Sequence, residues 1–200
     1  MRTRHLTAAL LVVATLVVGG APTTSATPGL PAPIRQFLAG GFGHPALAAP
    51  AQNRLFARLV GVWSCALRFD DGSSAFPSTW AFKYSVGGFG VEHLYYQAKK
   101  DLVPPLRPLG RDLYSQALTL YDPQAGEWRF VGASDVAGFG PVTQSMPGHQ
   151  QGGDLYFSTG TTSRDVFAGI TTHAFEWLQQ ETTDSGQTWD TAVRVGCHRR

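Results

Sequence analysis

From Gly61 onward the chain repeats one pattern, short runs of alternating apolar and polar residues separated by Gly, Pro and Asp. Period-2 alternation marks strands with one buried face, and a long series of them favours a meander that closes on itself. In the first run Trp63, Cys65, Leu67 and Phe69 alternate with Ser64, Ala66 and Arg68. After the turn signal Asp70-Asp71-Gly72, Ser78 to Val86 places Trp80, Phe82, Tyr84 and Val86 on one parity. Gly87-Gly88 suits a tight hairpin, and Phe89 to Gln97 follows with Val91, His93 and Tyr95 in phase. Lys99 to Gly110, with Pro104, Pro105 and Pro108, reads as a loop long enough to form a lid or rim. Asp112 to Tyr121 and Glu127 to Ala133 form a hairpin around Asp122-Pro123-Gln124-Ala125-Gly126. Phe139 to Gln150 is rich in Gly and Pro and is left unassigned. Asp154 to Thr159, Thr171 to Glu181 and Thr188 to Cys197 complete the series. The expected fold is an all-β, antiparallel up-and-down barrel of about eight strands.

The two cysteines test closure. Cys65 lies in the first strand and Cys197 in the last, each on the apolar parity of its run. With an even number of strands the first and last pair antiparallel, which brings the two within disulfide reach. Two free buried thiols are the alternative.

Ahead of the strands, Ala51 to Val60 sets Leu55, Phe56 and Leu59 at helical spacing, with Pro50 at its start and Gly61 at its stop. Thr27 to Pro50 carries five prolines and four glycines and reads as a flexible arm. The first residues, Met1-Arg2-Thr3-Arg4, are basic, Leu6 to Val18 is almost wholly apolar, and Thr24-Ser25-Ala26 is small, the order of a secretory signal peptide. Cleavage near Ala26 is expected, since the apolar run is shorter than the roughly 20 residues of a membrane span. Residues 27–50 and 51–200 would then form the arm and a single barrel domain. The mature chain would carry no transmembrane segment and be secreted or extracytoplasmic, where a disulfide can persist. Cleavage removes Arg2 and Arg4 and no acid, taking 16 basic residues to 14 against 14 acids. No Lys/Arg cluster remains to track phosphates, so nucleic acid is not an expected partner.

The helix leading into Gly61-Val62-Trp63 resembles the lipocalin-like (calycin) barrels. The hairpins Tyr121-Asp122-Pro123-Gln124-Ala125-Gly126-Glu127-Trp128 and Asp184-Ser185-Gly186-Gln187-Thr188-Trp189 resemble those of secreted lipocalin-like families of unknown function. The resemblance spans about Leu55 to the end and implies binding of a small hydrophobic molecule. Thr182 to Trp189 also looks like an Asp-box, the hairpin of sialidase-type propellers. It occurs once, too few for a propeller, and is read as a structural turn.

Candidate ligand-binding residues are the strand aromatics Trp80, Phe82, Tyr84, Tyr95, Trp128, Phe130, Phe157, Phe175 and Trp177, with His93 and His173. They suit a pocket for a flat apolar molecule, or equally a solid core. Each histidine shares parity with large apolar neighbours. An inward imidazole can ligate haem iron, hydrogen-bond a ligand or act as a base, or simply be satisfied by a neighbour. Glu92 and Arg164-Asp165 read as surface or rim charges. No GxSxG, phosphate loop or metal-ligand spacing is found, so neither a catalytic residue nor a metal is assigned. The leading expectation is a barrel that binds a small hydrophobic ligand without chemistry. The alternatives are a haem-binding or isomerase-type barrel using an interior histidine, and a cell-envelope protein whose arm binds a partner.

Overall fold

The computed structural model describes residues 29–72, 74–134, 142–158 and 160–200. The expected signal Met1–Ala26 with its cleavage site, and residues 139–141 of the unassigned stretch, lie outside that set. Ten antiparallel strands close into one barrel in up-and-down order: β1 (Gly61–Phe69), β2 (Phe76–Ser85), β3 (Gly90–Gln97), β4 (Leu113–Asp122), β5 (Glu127–Ser134), β6 (Val142–Gln151), β7 (Asp154–Ser158), β8 (Ser163–Ala168), β9 (Ala174–Glu181) and β10 (Asp190–Arg199). The count of about eight is therefore corrected to ten.

The two additional strands are those whose sequence hides the alternation. In β6, Pro147 and Gly148 interrupt a polar run, yet Pro147 is exposed and Gly148 is buried against β7. A Cβ at Gly148 would meet Phe157 Cδ1 at 2.5 Å, so only glycine lets that ring lie across the strand. In β8 the charged pair Arg164-Asp165 masks the inward parity of Asp165 and Phe167.

Closure follows from register. β1 pairs with β10, with Cys65 opposite Cys197, and the two are joined by a disulfide with Cα atoms 4.2 Å apart. Fixing this pair fixes the inward face of every strand, because each neighbour's parity follows from the last.

One element packs over each end of the barrel. At one end α2 (Asn53–Ala57) inserts Leu55 and Phe56, followed by Leu59, into the main core. The Trp63 indole donates to Leu59 O at 2.7 Å, and Arg199 donates to Val60 O and Arg58 O while lying 4.4 Å over the Trp63 ring. Gly61 turns the chain between helix and strand at φ 146°, where a Cβ would collide with the Arg199 guanidinium. At the opposite end the Lys99–Gly110 loop folds into short 3-10 turns, with Leu102 and Val103 buried and Leu106 and Leu109 packed on the core. It is a rim element, as its length suggested.

The arm differs from expectation. Its Pro31 precedes α1 (Ala32–Phe37), which places Leu30 and Ile34 on the outer face of the barrel against Ala81 and Leu94. Proline is compatible with a first helical turn, so a proline-rich stretch does not by itself exclude one. Lys83 fastens the helix by donating to Phe37 O at 2.8 Å and lying 4.1 Å over the Phe37 ring. Among the described residues no helix is long and apolar enough to cross a membrane.

The disulfide links residues 132 apart. In the chain-entropy model a loop of that size contributes about 5 kcal/mol. Replacing Cys65 and Cys197 together by Ala is expected to lower the unfolding free energy by about 3–5 kcal/mol in urea titration. A loss below about 1 kcal/mol would mean that the β1–β10 ladder closes the barrel unaided.

Candidate functional site

The middle of the barrel is a contiguous layer of rings. Phe82 stacks on His93 at 5.0 Å and on Trp80 at 5.4 Å, Phe56 meets Phe167 at 5.1 Å, Phe130 meets Phe157 at 5.6 Å, and Phe82 meets Phe175 at 5.7 Å. Tyr95 joins edge-on to Trp80 at 5.2 Å. Seven sequence-selected residues, Trp80, Phe82, His93, Tyr95, Phe130, Phe157 and Phe175, therefore pack on one another here.

His93 sits at the centre of this layer. The Trp80 indole donates to His93 Nδ1 at 3.0 Å, which assigns the ring proton to Nε2, and Nε2 is buried without a partner. Burial pushes the imidazole down to about 3, so it is neutral at physiological pH. Phe56, Phe130 and Phe167 stand 5.5–6.1 Å from it as well. Haem does not fit this arrangement, because Nε2 is buried and carries the ring proton.

His173 is corrected outright. It is exposed, in the turn Thr171–His173 ahead of β9, where Thr171 Oγ1 accepts from its backbone N–H. Its parity with Phe175 has no effect because the ladder begins at Ala174.

A pocket of about 450 Å³ opens at the α2 end. Its barrel wall is Tyr84, Val91, Thr119 and Trp128, its helical wall is Phe56 and Ala57, and the arm covers it with Pro45 and Ala46. Asn53 holds the helix in place, donating to Phe89 O at 2.7 Å and accepting from Tyr121 N at 3.2 Å. The arm is held by Tyr84 N donating to Phe42 O and Ala46 N donating to Gly88 O. Within this mainly apolar wall, Trp128 Nε1 and Thr119 Oγ1 are buried and have no hydrogen-bond partner. An unmet donor and a hydroxyl each carry a desolvation cost of about 1–3 kcal/mol unless something bonds them. Tyr84 adds a half-buried phenol, its pKa raised by burial. Of the sequence-selected residues, Tyr84 and Trp128 line this pocket. Sequence reasoning missed Phe56, Val91 and Thr119. The hydroxyl of Thr119, in phase with Ala117 and Tyr121 on β4, was the available signal.

The opposite end of the interior has a different character. Trp177, Gln179, Ser115 and Ser134 point inward by register yet are half-buried, so solvent reaches this mouth. Asp165 also faces inward there, paired across strands with Phe157 and Gln179, and is 9 % exposed. This corrects its reading as a surface or rim charge. Glu92, by contrast, lies on the outer face, 3.6 Å from Lys83. Burial pushes the Asp165 carboxyl up to about 7. Across the barrel, burial drives the Tyr95 phenol up to about 12, a shift that the neighbouring Ser78 hydroxyl opposes.

Asp165 and His93 pull stability in opposite directions. The Asp165 carboxyl rises from 3.8 on folding, so stability falls as pH increases from about 4 to about 7. The His93 imidazole drops from 6.5, so stability falls as pH decreases from about 6.5 to about 3. Between about pH 4 and 6.5 the two slopes offset. Asp165→Asn is expected to expose the His93 slope, gaining stability over the wild type as pH rises and reaching up to about 4 kcal/mol above pH 7 in urea titrations. Parallel pH profiles for the two proteins would refute this pairing.

In comparisons with known proteins, no protein-family model matches the chain and no curated protein matches it.

Proposed function

We propose that the protein is an exported, lipocalin-like carrier that binds a small, mainly apolar molecule in the α2-end pocket and performs no chemistry on it. The observation that carries this reading is the presence of Trp128 Nε1 and Thr119 Oγ1, buried and unbonded, in an otherwise apolar wall. Binding sites are commonly apolar with a few placed polar groups, and on this reading a small side-chain adjustment would turn these two, a donor and a hydroxyl, to one polar group on the ligand. The volume of about 450 Å³ suits a compact molecule. The closed barrel and its disulfide support the lipocalin-like and extracytoplasmic parts of the reading.

The aromatic residues serve this function indirectly in the proposal. Apart from Tyr84 and Trp128, which line the pocket, they form the floor beneath Phe56 rather than the site itself, and the arm forms its roof. The ligand would enter beside the arm, where Leu47 and Phe42 are exposed.

Titrating the oxidised protein with 1-anilinonaphthalene-8-sulfonate and a series of apolar alcohols is expected to show one saturable site. Ala57→Trp, which fills the pocket from the helix, should abolish it with the circular dichroism unchanged. Thr119→Val, which removes the unmet hydroxyl with little change of shape, should weaken the alcohols by about 3- to 10-fold. Absence of saturation in the wild type, or binding indifferent to both substitutions, would overturn the proposal.

A further inference from the structure

The mouth opposite α2 holds a carboxyl without a counterpart among the described residues. Asp165 is nine-tenths buried, and among the described residues no hydrogen bond or ion pair reaches it. Its neighbour Arg164 points outward, donating to Gln180 Oε1 at 2.8 Å and stacking 4.0 Å from the Trp189 ring. By register the described inward positions of this half also include Ser163, Gln179 and Glu181 from β8 and β9, Val193 from β10, and Ser78, Tyr95 and Gln97 from β2 and β3. None of these is Lys or Arg. An isolated carboxylate in such surroundings is stable only if it is protonated or if a cation covers it.

The aromatic setting selects among cations. Trp177 is a diagonal cross-strand neighbour of Asp165, within the roughly 7–8 Å that long side chains span. Its ring is half-buried, unlike the rings of the central layer, and it continues through Trp80 at 6.4 Å to Tyr95. A carboxylate beside a half-buried indole favours a weakly hydrated organic cation over a strongly hydrated metal ion.

We propose that this mouth is a second binding site, for an organic amine or quaternary ammonium group held between the Asp165 carboxylate and the Trp177 ring. It lies at the end of the barrel away from the α2 pocket and does not depend on that pocket's ligand. The titratable groups sharing the mouth are Glu181 at the rim and, across the barrel, Tyr95 and His93. His93, held down to about 3, is neutral above about pH 5.

Calorimetry with benzyltrimethylammonium, and with benzyl alcohol as its neutral counterpart, tests the site. At about pH 8 the cation is expected to bind one-to-one and at least about tenfold more tightly than the alcohol. Asp165→Asn should weaken the cation by at least about tenfold, and Trp177→Leu by several-fold, with 1-anilinonaphthalene-8-sulfonate binding at the other end unchanged. Affinity for the wild type should also fall on going from about pH 8 to pH 5, as the carboxyl takes up its proton. A carboxyl-resolved NMR titration of the wild type should show the Asp165 midpoint drop when the cation is present. No saturable heat at about pH 8, equal affinity in Asp165→Asn, an unchanged midpoint, or a pH-independent affinity would each overturn the proposal.

Discussion

The pairing of β1 with β10 is the interaction on which the rest of this structure depends. An open sheet of ten strands would leave two unpaired edges and a single ambiguous inner face. Setting Cys65 opposite Cys197 removes both edges and commits every strand to one parity. The central ring layer, the helix that stops one end and the loop that covers part of the other all presuppose that commitment. Arg199 extends it beyond the ladder, since its guanidinium bonds the carbonyls that α2 leaves free.

The interior that results is layered. Its middle is tightly ringed, and its imidazole, His93, is neutral and bonded through a single nitrogen. Besides His93 Nε2 in the middle, polar atoms remain unmet at both ends. Near α2 the unmet groups are neutral, a donor and a hydroxyl within an apolar wall. Toward the far mouth they are the Ser78, Tyr95 and Gln97 oxygens, and there an acid, Asp165, stands near an indole. On the functions proposed above, a packed centre flanked by two incomplete ends would put binding at the ends of the barrel, not along its axis.

Much of the architecture was legible in the sequence because alternation and turn chemistry are local properties. Strands such as β1 and β3 could be read residue by residue, and the shared parity of the two cysteines implied closure. The strands that escaped, β6 and β8, are those in which Gly148 and Asp165 occupy inward positions normally taken by apolar side chains. The same substitutions explain why the site was only partly legible. Parity selected aromatic residues, and most of these proved to be mutual partners. The residues with unmet polar atoms are distinguished by what surrounds them in space, which alternation does not encode. His173 shows the complementary failure: its phase was right but it lies one residue outside the ladder.

The 132-residue separation of the closing partners also bears on how the barrel assembles. Hairpins such as β4–β5 join across a few residues and form early, whereas β1 and β10 can meet only after every intervening strand is in place. Until then the chain is a curled sheet with two bare edges, one thiol on each. That intermediate is the species most prone to pair with another molecule, and oxidation within one chain competes directly with cross-linking between two. The bond that secures the finished barrel thus also marks the moment at which its aggregation hazard ends.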